Sequence, residues 1–243
     1  MNLDPRLSLI DKRLSGIPTL IAVTGGKGGI GKSVVATTLS LTLAHAGQTV
    51  GLLDLDFTGP CDHIVLGVNT GFPEEHFGIV PPLVHGIRFM SITHFAGERP
   101  APLRGQDLSN ALIELLSITQ WGTLKILIID MPPGIGDATL DAVRLMPQAQ
   151  FLIVTTPSRV VQQTVARTLH FLSPLGITIC GLVENMSTGN TQTSQNLAQE
   201  IPIPFLGSLP FDPELENALG KPEALMQTAF AHAIQHLHKS LSI

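Results

Sequence analysis

The chain has 243 residues, 44% of them hydrophobic and only 14% charged, so it can bury a large core and leaves little charge for its surface. A net charge of −5, with 14 Lys and Arg and no basic run, argues against a nucleic-acid partner. Its two cysteines are too few for a disulfide framework, which suits a cytoplasmic setting, and the N-terminus has no signal-peptide stretch and no apolar run reaches the roughly 18 residues that span a bilayer, so no membrane partner is expected.

In chain order, residues 4–15 read as a helix. Asp4 is placed to cap it and Pro5 to occupy its first turn. Leu7, Ile10 and Leu14 fall on one face, and Gly16 is the stop. Residues 1–18 are therefore expected as a helical arm, followed by one domain over 19–243. From there apolar strand-type runs occur at Leu20–Thr24, Val50–Asp54, Ile87–Ser91, Ile126–Asp130, Phe151–Thr155, Thr178–Val183 and Pro204–Leu209. Helical stretches at 32–46, 106–119, 138–146 and 159–173 lie between them, and 222–242 reads as a single last helix. Residues 67–86, rich in Gly and Pro, read as an irregular excursion. Uninterrupted apolar strands alternating with helices predict an α/β fold, a mainly parallel central sheet with helices on both faces.

The segment after the first strand is Gly25-Gly26-Lys27-Gly28-Gly29-Ile30-Gly31-Lys32-Ser33, which contains the P-loop pattern G-x-x-x-x-G-K-S from Gly26 to Ser33. Strand before and apolar helix after are the context that pattern requires. Glycines let backbone N–H groups converge on phosphate oxygens, and the helix N-terminus adds favourable partial charge. The expected cradle for ATP or ADP is Gly26, Lys27, Gly28, Gly29, Ile30, Gly31, Lys32, Ser33 and Val34. Lys32 would bridge the β- and γ-phosphates and Ser33 would ligate Mg²⁺. The buried strand Ile126–Asp130 ends on an acid in the Walker B manner, so Asp130 is expected to hold the metal through a water. Asp54 and Asp56 stand at another strand's carboxyl end, where parallel sheets bind ligands. A bland role for Asp56, as a turn cap, is the competing reading.

The form K-G-G-x-G-K-S resembles the deviant Walker A signature of the MinD/ParA/Mrp group of ATPases. In that group the first lysine, here Lys27, reaches the partner subunit's phosphates, which implies a homodimer in the ATP state. The resemblance also implies that Asp56 positions the attacking water and that Asp54 lies near the metal. It becomes closer at Leu52-Leu53-Asp54-Leu55-Asp56-Phe57-Thr58-Gly59-Pro60 and at Met131-Pro132-Pro133-Gly134-Ile135-Gly136-Asp137, which resemble segments of Mrp-type (ApbC-like) proteins. Arg104-Gly105, Trp121-Gly122, Gly181-Leu182-Val183-Glu184-Asn185-Met186 and the stretch from Pro204 to Pro213 fit as well. By resemblance Asn185, taken as a strand-end amide, would read the adenine, with Pro210, Phe211 and Asp212 beside it.

One family feature is missing. Mrp-type proteins carry C-x-x-C soon after E-N-M, where thiolates from two subunits bridge an iron–sulfur cluster. Here the chain continues Ser187-Thr188-Gly189-Asn190-Thr191. An iron–sulfur cluster is therefore not expected. The leading expectation is a slow, partner-regulated ATPase for metallocentre or metalloenzyme maturation, resembling the Mrp-like HypB proteins of archaea and working with a maturation partner. Two alternatives stand beside it: a cluster carrier with atypical ligands such as Cys61, and a positioning switch like MinD or ParA. Cys180 reads as a small buried strand residue, and His232, His236 and His238 as a solvated helix face rather than a metal site.

Overall fold

The computed structural model describes residues 4–69, 71–96, 103 and 105–241. Arg104, one of the residues that carry the family resemblance, lies outside them, as does the end of the expected last helix.

The chain opens with α1 (Pro5–Leu14). Asp4 caps it, its side chain accepting the Arg6 N–H at 3.0 Å, and Ile10 and Leu14 are buried in the core where the helix packs on α5. Next come β1 (Thr19–Thr24), α2 (Lys32–His45), β2 (Val50–Asp54) and α3 (Asp62–Leu66). The expected irregular excursion is instead folded in part. It holds a small antiparallel pair, β3 (Glu74–Glu75) with β4 (Ile79–Val80), and a short strand β5 (Leu83–Val84). Then follow β6 (Ile87–Ser91), α4 (Thr93–Ala96), α5 (Gln106–Ile118), β7 (Ile126–Asp130), α6 (Asp137–Leu145), β8 (Gln150–Thr155) and α7 (Arg159–Leu172). The last third contributes β9 (Thr178–Ser187), α8 (Gln192–Glu200), β10 (Phe205–Pro210), α9 (Leu215–Ala218), α10 (Pro222–Leu225) and α11 (Ala229–Ser240).

The main sheet runs β10-β9-β8-β1-β7-β2-β6-β5. Its neighbours pair in parallel except β5, which turns back antiparallel on β6 at the edge. The four central strands β8, β1, β7 and β2 are buried almost throughout, because helices cover both of their faces. α2 lies against β1, β2 and β7 and is itself covered by α11, while α5 is flanked by α1 and α6. The order reverses at β1, so its carboxyl end opens on a crevice between diverging connections, the usual ligand position in such sheets.

Two boundaries differ from the sequence reading. The expected helix 222–242 is broken into α10 and α11, because Thr228 ends one and caps the other. Its hydroxyl donates to Leu225 O at 2.7 Å and accepts the Ala231 N–H at 3.1 Å. β9 continues to Ser187, four residues past the expected Val183, because β10 pairs with it as far as Pro210↔Ser187.

Candidate functional site

β1 ends at Thr24 and α2 begins at Lys32, with the seven residues between forming a loop over the crevice. Four of the five glycines of this loop divide into two kinds. Gly29 (φ 75°) and Gly31 (φ 83°) adopt the left-handed backbone that a side chain disfavours. Gly25 and Gly26 are needed for close contact. A Cβ on Gly25 would sit 2.7 Å from Val154 O, and one on Gly26 would sit 2.7 Å from the α7 backbone at Thr164 and Val165. The loop is thus wedged against β8 and α7, while Lys27, Gly28 and Gly29 remain exposed at its tip. Lys32 is buried at 6% exposure, at the first turn of α2.

The acids gather at the carboxyl ends of β2 and β7. Asp54 and Asp130 are direct register partners across these two strands. Ser33 donates its hydroxyl to Asp130 Oδ2, and Asp54 accepts the Asp56 N–H at 3.0 Å and the Ser91 hydroxyl at 3.3 Å. Asp62, the first residue of α3, joins them and accepts the Thr37 hydroxyl at 3.0 Å. Burial, followed by mutual repulsion, raises the carboxyl groups of Asp54 and Asp62 above the ordinary range; burial raises Asp130 too, with Ser33 and Lys32 pulling the other way. The fold therefore retains protons here that the unfolded chain has already released, so raising the pH costs stability in this window. In metal-free, nucleotide-free buffer, the melting temperature should fall as pH rises from about 5 to about 8. A thermal melt series checks this, and a flat profile across that range would count against the protonated cluster.

The other expected site residues are placed as follows. Asp56 is half-buried and caps its own turn: Oδ1 accepts Thr58 N at 3.1 Å, the Thr58 hydroxyl at 2.7 Å and Gly59 N at 3.0 Å. The turn-cap reading is thus realised in the geometry, with Oδ2 outside those bonds. Asn185 is buried inside β9 rather than at a strand end, which corrects the expectation, and its Nδ2 donates to Ile30 O at 2.9 Å. It ties the phosphate loop to β9 and lines a cavity of about 320 Å³ with Gly31, Val34, Met186, Pro210, Phe211 and Asp212. Asp212 holds this wall together, since Oδ1 accepts Glu214 N at 3.0 Å and Oδ2 accepts Phe230 N at 3.2 Å. Sequence reasoning missed Asp62. Its only signal was a carboxylate beside Cys61, a few residues beyond the acidic strand end.

The cysteines are not poised as thiolates. Burial pushes the Cys61 thiol up to about 12, with Ser33 opposing the shift, and the Cys180 thiol on β9 up to about 11. His232 and His236 lie on the exposed face of α11, and among the described residues the histidines there form no metal-ligand group. Among the described residues no helix is long and apolar enough to cross a membrane.

A glycine loop wedged into a parallel sheet at its switch point, facing two acidic strand ends, is the arrangement of a P-loop nucleotide-binding protein. The family model described as ParA, NUBPL iron-transfer P-loop NTPase, matches residues 16–242, and the chain belongs to that family. It is 33% identical over 210 residues to the iron–sulfur cluster carrier protein of Rickettsia conorii, covering 86% of this chain and 66% of that one. The carrier protein of Mycobacterium leprae is 33% identical as well, and the chain spans 58% of its length. The cytosolic Fe–S cluster assembly factor NUBP2 of Bos taurus is 37% identical, covering 85% of this chain and 84% of that one. A nucleotide-binding protein of Archaeoglobus fulgidus, solved with ADP and cobalt, superposes with a TM-score of 0.75 at 29% identity, covering 91% of this chain and 93% of that chain. Pyrococcus furiosus MinD, at 20% identity and a TM-score of 0.70 over 93% of this chain and 99% of that one, shares the fold.

These relatives overturn two expectations. Metallocentre or metalloenzyme maturation of the HypB kind is displaced as the leading role, and an iron–sulfur cluster can no longer be set aside. A missing C-x-x-C is a local departure set against a relationship that runs from residue 16 to residue 242. Ligand cysteines occupy a short loop, whereas the nucleotide framework that relates these proteins extends along most of the sequence.

Proposed function

We propose that the chain is a nucleotide-driven ATPase that carries or assembles iron–sulfur clusters, with the cluster as cargo rather than as a fixed cofactor. The supporting observation is a complete P-loop and acid constellation in a chain 33–37% identical to proteins named for that work. ATP is hydrolysed to ADP and phosphate. Lys32 and the loop from Gly26 to Val34 cradle the phosphates, and Asn185 with Pro210, Phe211 and Asp212 borders the base. Asp130 Oδ1 is buried and accepts no hydrogen bond, which suits a carboxylate waiting for a cation. Ser33, Asp54 and Asp130 thus fit Mg²⁺, which would neutralise phosphate charge when bound. Asp56 orients the attacking water.

Two copies close around ATP. Lys27 stands exposed at the loop tip, as a residue that must reach a second subunit's phosphates requires, and Ile135, Leu140 on α6 and Val160 on α7 are exposed apolar residues that a second copy could cover. Residues 1–18 act as an arm on the domain that begins at 19. The cargo needs ligands other than C-x-x-C, and half-buried Cys61 from two subunits is the leading source of sulfur, its thiol proton having to be displaced by the metal because burial holds it on.

Anaerobic reconstitution with ferrous iron and sulfide tests the cargo. Wild type should acquire visible absorption with bound iron, and Cys61→Ser should lose most of both. A colourless, iron-free protein that still binds ATP would overturn the carrier reading and leave the nucleotide site standing.

A further inference from the structure

Asp62 belongs to none of the nucleotide motifs, yet it is fully buried beside them. One carboxylate oxygen from each of Asp54, Asp62 and Asp130 lies within 4.8 Å of the other two. Three such groups in an apolar interior repel one another strongly unless a cation or shared protons intervene. The protein supplies little opposing charge. Among the described residues no ion pair joins any of the three to a basic side chain, and Lys32, whose charge is felt at Asp130, is the lysine that phosphates would engage.

The hydrogen bonding of the cluster is incomplete in a directed way. Thr37 fixes Asp62 through Oδ1, which leaves Oδ2 buried with no hydrogen bond, and Asp130 Oδ1 is in the same condition. A buried carboxylate oxygen with no donor is costly, and an ion is one of the few ways to satisfy it. The spacing is suitable. Oxygens on opposite sides of a cation with bonds near 2.1–2.4 Å stand about 4–5 Å apart.

We propose that Asp62 makes this crevice a three-carboxylate site that binds a divalent cation before nucleotide arrives. The cation enters with the nucleotide in a site built from Ser33 and Asp130 alone, because phosphate oxygens complete its shell. Here Asp54, already placed at the metal, and the added Asp62 supply that missing charge from the protein. Oxygen ligands of this kind take Mg²⁺ and, more tightly, Mn²⁺ or Fe²⁺. The inference deepens the nucleotide-site reading and rests on it for the roles of Ser33 and Asp130.

The test uses the full chain stripped of nucleotide and titrated with Mn²⁺, following free Mn²⁺ by electron paramagnetic resonance, with ADP binding measured separately. Wild type should bind one Mn²⁺ per chain without ADP and melt at a higher temperature with it. Asp62→Asn, close in shape, should weaken that binding at least about tenfold, near 1.4 kcal/mol. Thr37→Val, which releases Asp62 from α2, should weaken it less and serves if the first variant fails to fold. Wild type that binds Mn²⁺ only when ADP is present, or an Asp62→Asn chain that binds it as wild type does, would overturn the proposal while leaving the nucleotide site intact. Absence of ADP binding in any form would instead remove the nucleotide reading on which it rests.

Discussion

Replacing Lys32 by Ala should lower ATP affinity by at least about 100-fold, close to 3 kcal/mol, with the fold retained. Lys32 is 6% exposed at the first turn of α2, so little of it meets bulk water. A cation in that position attracts phosphate far more strongly than a solvated surface lysine does, because screening is weak. The backbone N–H groups of the loop and the helix N-terminus would remain, so some binding should persist at high concentration. Calorimetric titration with ATP measures the change, and circular dichroism controls for folding. Normal affinity in a folded Lys32→Ala chain would remove the P-loop assignment.

The second large effect is expected at Asp56, where two roles must be separated. Its Oδ1 caps the turn to Gly59 through three hydrogen bonds, so Asp56→Ala should cost about 1 kcal/mol of stability whatever its chemistry. If the carboxylate also orients water, turnover should fall at least about 100-fold while ATP still binds, the range expected for loss of a positioned acid–base group. Asp56→Asn distinguishes the roles, since an amide oxygen can still accept the three bonds but carries no charge. Equal loss of turnover in the Asn and Ala variants supports the catalytic role, and an ATP-bound dimer should then accumulate on size-exclusion chromatography. An Asn variant with wild-type turnover would leave Asp56 as a turn cap.

Much of this protein was legible in the one-dimensional pattern. The strands β1, β2, β7 and β8 announced themselves as apolar runs because helices bury both of their faces, and the phosphate loop did so because Gly25, Gly26, Gly29 and Gly31 each answer to a close contact or a left-handed backbone. The first helix was equally clear, since Asp4 and Pro5 act on their own neighbours. The features that were misread depend on contacts distant in sequence. β9 runs on to Ser187 because β10 arrives beside it, and Asn185 is held by Ile30, 155 positions away. The last helix breaks at Thr228, a polar residue whose capping bonds outweighed an unbroken apolar face.

Local sequence therefore determined the elements whose causes lie within a few residues: caps, glycine turns, buried strands and the motif that binds phosphate. Tertiary structure decided which acids meet. Asp54 and Asp130 are brought into register by strand pairing between segments 76 residues apart, and Asp62 is turned toward them by α3 and held by Thr37 on α2. No periodicity encodes such a meeting, because the energy that enforces it is the packing of the whole sheet and its helices rather than any preference of the acids themselves.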